Sequence, residues 1–193
     1  MPSILEILAR ELSGAALPQV GQQLGTDPAA TQGAIAAALP VLVGALAKNA
    51  ASPEGAAALG AALSKDHDGS ILNDLSGAVQ NYQSGAGAGI LKHVLGDRQA
   101  AVAAGLGQAT GLDAGKAGAL LTMLAPMVLG ALGRAQRSGG LDAGGLAAAL
   151  GQERQAIGQG GAIGGLLGML DRNHDGSVVD DVLGMASKFL GKR

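Results

Sequence analysis

Apolar positions recur at helical spacing from the first residues onward. "MPSILEILARELSG" sets Glu6, Arg10 and Glu11 into an apolar repeat, which predicts an amphipathic helix over residues 3–12. The same reading predicts helices over 17–24, 28–48, 53–63, 71–82, 89–95 and 98–110. Further helices are expected over 114–136, 143–150, 163–170 and 178–190. Pro28 stands just inside the start of a long apolar run, where a missing N–H costs nothing. Pro40 lies within that run and is expected to kink it.

The pattern is written twice. "VGQQLGTDPAATQGAIAAALPVLVGALAKNA", residues 20–50, aligns with "LGQATGLDAGKAGALLTMLAPMVLGALGRAQ", residues 106–136. Gly21 matches Gly107, Gln22 matches Gln108, Gly25 matches Gly111, Asp27 matches Asp113 and Pro40 matches Pro126, all at an offset of 86. A second pair, "KDHDGSILND" from Lys65 and "DRNHDGSVVDD" from Asp171, repeats at an offset of 107. The extra residues are placed in the polar, Gly-rich "GQERQAIGQGGAIGG", residues 151–165, whose "GQGGAIGG", residues 158–165, reads as a flexible loop leading into a helix. The expected architecture is all-α, with two pseudo-symmetric helical units from an internal duplication. Residues 1–85 form the first unit, 86–105 the joining helix and 106–193 the second, the whole packing as a pair rather than a long solenoid.

Composition sharpens this. With 34 Gly, one Tyr, one Phe and no Trp, the core must be built from Ala, Leu, Val, Ile and Met, and helices must approach closely to bury enough surface. Scarce β-branched and aromatic residues disfavour sheet, while Ala and Leu favour helix. Each glycine inside a helix costs about 1 kcal/mol against Ala. Gly33, Ala37 and Gly44, and Gly161, Gly165 and Gly168, therefore read as small-residue faces for close packing within the fold or for homo-oligomerisation.

A formal net charge of −2 and the missing aromatics give no footprint for nucleic acid. No cysteine is present, which excludes disulfides and thiolate chemistry. The N-terminal helix lacks the basic start and unbroken apolar run of a secretory signal, so a cytoplasmic location is expected. The 17 residues 117–133 approach the length of a membrane span, but Pro126 sits in their middle and a buried helix is expected. A membrane-active Gly/Ala-rich protein remains the alternative, against which the missing aromatic belt and cationic face weigh.

"GILKHVLGDRQAAVAAGLGQATGLDAGKAGALLTMLAPMVLGALGRA", residues 89–135, and the C-terminal "GGLLGMLDRNHDGSVVDDVLGMASKFLG" resemble a bacterial family known as domain of unknown function 937, the YidB-like proteins. The resemblance implies a small, all-helical, cytoplasmic bacterial protein with no assigned activity.

Candidate chemistry is confined to the repeated loops. No nucleophile motif, phosphate loop or dinucleotide fingerprint is present, and no enzyme is expected. His93 reads as a helix-surface or packing residue rather than a base. Calcium takes six to eight oxygens from alternate positions of a loop with Gly at the sixth. With Asp171 first, Asn173, Asp175, Gly176 and Ser177 fall at positions 3, 5, 6 and 7. Position 12 is Val182, which cannot ligate, but Asp180 at position 10 can close a shortened loop. Low-affinity calcium through Asp171, Asn173, Asp175, Ser177 and Asp180 is one reading. The other is a turn at Asp175-Gly176 and a capping box, Ser177 to Asp180, that starts a helix. The first loop is the poorer ligand set: Ser64 stands at position 1 and Asn73 at position 10, leaving Asp66 and Asp68. A non-enzymatic interaction protein that self-associates is the function these observations favour.

Overall fold

The structure, a computed structural model, describes residues 4–159. Its described residues form an all-helical fold with no strand. α1 (Ile4–Glu11) meets α2 (Leu17–Leu24) across a kink at Gly14, whose ψ of −105° is far from helical. α3 (Pro28–Asn49) and α8 (Ala114–Gly139) are the two long helices, each running through its proline. Between them lie α4 (Pro53–Lys65), a 3₁₀ turn (Ser70–Asn73), α5 (Leu75–Gln80), α6 (Gly87–Leu95) and α7 (Gln99–Thr110). α9 (Ala143–Gln159) follows α8.

Two joints start the long helices in the same way. Gly25 and Gly111 end α2 and α7 at φ of 61° and 74°, a left-handed conformation that glycine adopts without a Cβ penalty. Asp27 and Asp113 then take extended backbone, with ψ of 163° and 158°. Asp27 Oδ1 accepts the amides of Ala29 and Ala30, both at 3.0 Å. Asp113 Oδ1 accepts the amide of Lys116 at 2.8 Å. Each carboxylate satisfies N–H groups that a helix start leaves unpaired, and complements the positive end of the helix dipole. Thr31, fully buried, donates to the carbonyl of Asp27 at 2.7 Å and shares a 2.8 Å hydrogen bond with Thr26.

α3 and α8 pack on each other at the centre. α6 and α7 lie against α8, and α2 lies against α3. The helices that follow cross over: α4 packs on α8 and α9 packs on α3, while α4 and α9 also touch. The core is aliphatic, with Leu39, Leu42, Leu120, Leu121, Leu124, Met123 and Met127 all within 2 % of full burial. Asn49 donates to the carbonyl of Val94 at 3.1 Å and so ties the end of α3 to α6.

Among the described residues the predicted and observed elements differ in two places, and the helices expected over 163–170 and 178–190 lie outside them. α9 continues to Gln159, nine residues past the end expected at 150. After Gly151 the run Gln-Glu-Arg-Gln-Ala has high helix propensity, and Glu153 is buried against the fold. The helix expected over 71–82 is instead a 3₁₀ turn followed by the short α5, because Asp74 rather than Ser70 caps it: Asp74 Oδ1 accepts the amide of Gly77 at 2.8 Å.

Candidate functional site

The predicted calcium ligands Asp171, Asn173, Asp175, Ser177 and Asp180 lie outside the described residues, as do Gly161, Gly165 and Gly168. The sister loop after α4 is described in full. Its Ser64 Oγ donates back to the carbonyl of Gly60 at 2.9 Å, so the residue at position 1 is engaged with its own helix. Asp66 closes α4, its amide donating to the carbonyl of Ala62. Asp68 Oδ1 accepts the amide of Ser70 at 2.9 Å, forming a turn closed by a side chain. Gly69 follows at φ 85°, a conformation that glycine supplies at low cost.

This loop is seated on the last turns of α8. The carbonyl of His67 lies against Gly133, where a Cβ would collide with it. Ile71 lies against Gly130, and a Cβ at Gly69 would stand 2.9 Å from the carbonyl of Gly130. Two arginines one turn apart on α8 hold the loop from outside. Nη2 of Arg134 donates both to the carbonyl of Gly69 at 3.0 Å and to Oδ1 of Asn73 at 2.9 Å. Nη1 of Arg137 stands 3.7 Å from Oδ2 of Asp68, both side chains being exposed. The sequence reading missed both arginines. A pair of cations spaced by three residues at the end of an otherwise apolar helix was the available signal, but nothing local told what they would meet.

The electrostatics follow this geometry. Burial of the His67 imidazole lowers its pKa below the ordinary 6.5, with neighbouring Asp66 opposing the shift. The carboxyl of Asp68 is held below the ordinary carboxylate value, first by its hydrogen bonds with Ser70 and then by Arg137. His93 is exposed on α6, as its sequence context suggested.

Among the described residues no group of three or more His, Asp or Glu side chains is arranged to hold a metal ion. A shallow, open groove of about 470 Å³ lies at the α2–α3 joint, lined by Leu17, Pro18, Gly21, Gln22, Gly25, Thr26 and Pro28. It contains no ionisable side chain, so its chemistry is that of apolar contact and amide hydrogen bonding. α3 and α8 are long and apolar enough to cross a membrane by length and composition alone, with mean hydropathy of 1.7 and 1.5 in their most apolar windows. Half of that window in α3 and two thirds in α8 are buried inside the fold, as in core helices.

No curated protein and no solved structure matches the chain. The model of a family described as a bacterial protein of unknown function, DUF937, matches residues 6–135. That stretch runs from α1 into α8 and takes in the first loop and Arg134, while the second loop falls beyond it. The match covers about two thirds of the sequence, and the chain belongs to the bacterial DUF937 family, whose function is unknown.

Proposed function

We propose that the chain is a non-enzymatic helical interaction module of the cytoplasm that self-associates. The observation that carries this reading is a half-exposed stripe on α3. Gly33, Ala37, Val41, Gly44 and Ala45 fall on successive turns of one face and none is fully buried. Beyond the adjoining turns of α3 itself, no described atom comes within 4 Å of a Cβ built at Gly33 or Gly44. Glycines inside a helix weaken it, and a second helix brought close to that face offsets the cost. A second copy of the chain is the occupant this reading assigns, because the face is small and apolar, and Lys48 at its end is the one charge on it.

The duplicated architecture belongs to the same reading. Its supports are the matched joints at Gly25–Asp27 and Gly111–Asp113, the matched glycines Gly21 and Gly107, and the reciprocal crossing of α4 and α9. Cβ atoms at Gly21 and Gly107 would crowd the carbonyls of Thr26 and Leu112, each five residues on. The crossing of α4 onto α8 and of α9 onto α3 supports this reading, in which each unit would lend its next helix to the long helix of the other.

Light scattering across a wide concentration range tests the proposal. Self-association should appear as a mass above 18.7 kDa that falls on dilution. Gly44→Lys should return the chain to a folded monomer at every concentration. A strict monomer at every concentration overturns the reading. The alternative of weak calcium binding at Asp171, Asn173, Asp175, Ser177 and Asp180 rests on ligand spacing, and Asp171→Ala should then abolish any calcium-dependent stabilisation.

A further inference from the structure

We propose that the half-exposed end of the α3 face is where the chain's own C-terminal segment, residues 170–186, docks, so that a second copy must displace it to associate there. α8 shows how such a face is covered. Its Gly130 meets Ile71 and Leu72 of the 3₁₀ turn, and Arg134 reaches the carbonyl of Gly69 in the same turn. Met127, Gly130 and Ala131 are buried. At the offset of 86 these three positions are Val41, Gly44 and Ala45 in α3, and Arg134 becomes Lys48. Val41, Gly44 and Ala45 are only half-buried. The stripe that the turn covers on α8 is the stripe left uncovered, among the described residues, on α3.

The sequence holds a second stretch suited to cover it. At the offset of 107 the buried Leu63, Leu72, Leu75 and Val79 become Leu170, Val179, Val182 and Ala186, and Ile71 becomes Val178. The residues that shape the first turn recur as well. Asp68 and Ser70, joined by an Oδ1-to-amide hydrogen bond, become Asp175 and Ser177, and Gly69 at φ 85° becomes Gly176. Apolar residues kept at every buried position need a surface to bury against. α9 leads toward that surface: it packs on α3 as α4 packs on α8, and residues 160–193, which lie outside the described residues, follow its end. A segment of the same chain competes at an effective concentration on the order of millimolar, so it holds the face until the chain is concentrated. The match has one departure. Ala47 stands where α8 has Gly133, and its Cβ bars the close approach that the His67 carbonyl makes, so contact falls to the turn residues at the level of Gly44.

The chain has no cysteine, so an introduced disulfide reports the contact directly. A Cβ at Gly130 would stand 2.5 Å from Ile71 Cγ2, which sets the two Cβ atoms within about 4 Å, the span of a disulfide. In the full chain, Gly44→Cys with Val178→Cys should therefore close an intrachain disulfide under mild oxidation, at a rate independent of protein concentration. Gly33→Cys with Val178→Cys places the first thiol about 16 Å back along the same face and should close at least about tenfold more slowly. Equal rates for the two pairs, or disulfides between copies only, overturn the docking. The oxidised Gly44→Cys, Val178→Cys chain should stay at 18.7 kDa in light scattering at concentrations where its reduced form associates. Association that persists in the oxidised chain overturns the competition. That last comparison alone rests on the self-association reading: a chain monomeric in both states overturns that reading and the competition with it, while the docking is decided by the disulfide rates.

Discussion

α3 and α8 carry nearly the same pattern and end in different environments. Both start at an Asp cap after a left-handed glycine, both run through a proline, and both sit at the centre of the fold. α8 is covered on almost every side: its buried residues run without a break from Met127 to Gly133. α3 keeps a half-exposed stripe at Val41, Gly44 and Ala45. The difference lies in what each face meets. At Gly130 and Gly133 the loop after α4 presses Ile71 and the His67 carbonyl onto α8, whereas nothing described outside the adjoining turns of α3 comes within 4 Å of a Cβ at Gly44, the position matching Gly130. The same small residue is thus a seat in one helix and an open place in the other.

The comparison can be broken most severely at Gly133. Gly133→Ala drives a Cβ into the carbonyl of His67, a backbone atom that cannot swing aside, and should cost about 3 kcal/mol or more in urea unfolding. The matching position in α3 is already Ala47, which is buried without harm. A Gly133→Ala chain as stable as its parent would show that the loop does not bear on α8.

The caps come next. Asp113→Ala and Asp27→Ala each remove an acceptor for helix-start amides and should each cost about 0.5–2 kcal/mol. Similar losses in thermal melts would say the two starts are equivalent in energy as well as in shape, and a loss at one alone would separate them. At the small end, Gly44→Ala meets no described neighbour and should stabilise a monomer by about 0.5–1 kcal/mol. A loss instead would mean that the face is packed against something.

pH probes the seated loop, which α8 has at its end. The His67 pKa is lowered in the folded state, so between pH 6.5 and its folded value the unfolded chain binds more protons. Stability is then full above pH 6.5 and falls as the solution is acidified below it. The depressed Asp68 carboxyl acts in the same direction at lower pH, its contribution lost as pH falls through its folded pKa. His67→Gln should remove the first phase of this loss, measured as the change in melting temperature between pH 7.5 and 5.5, and leave the second.

Much of the helical plan was legible in the chain itself. Local chemistry decides where these helices start: the Gly–x–Asp joints at Gly25 and Gly111 and the prolines Pro28 and Pro53 act within a few residues. The apolar run over 117–133 reads as a buried helix, and Leu120, Leu124 and Met127 within it are fully buried. What the sequence could not settle were contacts between distant segments. Ser70 and Asp74 are both good caps, and the choice of Asp74 follows a turn pinned to α8 by Gly130, Gly133 and Arg134. The run after Gly151 is polar and lies past the helix end expected at 150, yet it continues a helix whose Leu146, Leu150 and Glu153 are buried in a fold where α9 packs on α3. Helix starts are set by hydrogen bonds a few residues long, which the sequence records. Which glycine becomes a seat, and which arginine meets a loop 61 residues away, depend on how whole helices stack, and no local pattern encodes that.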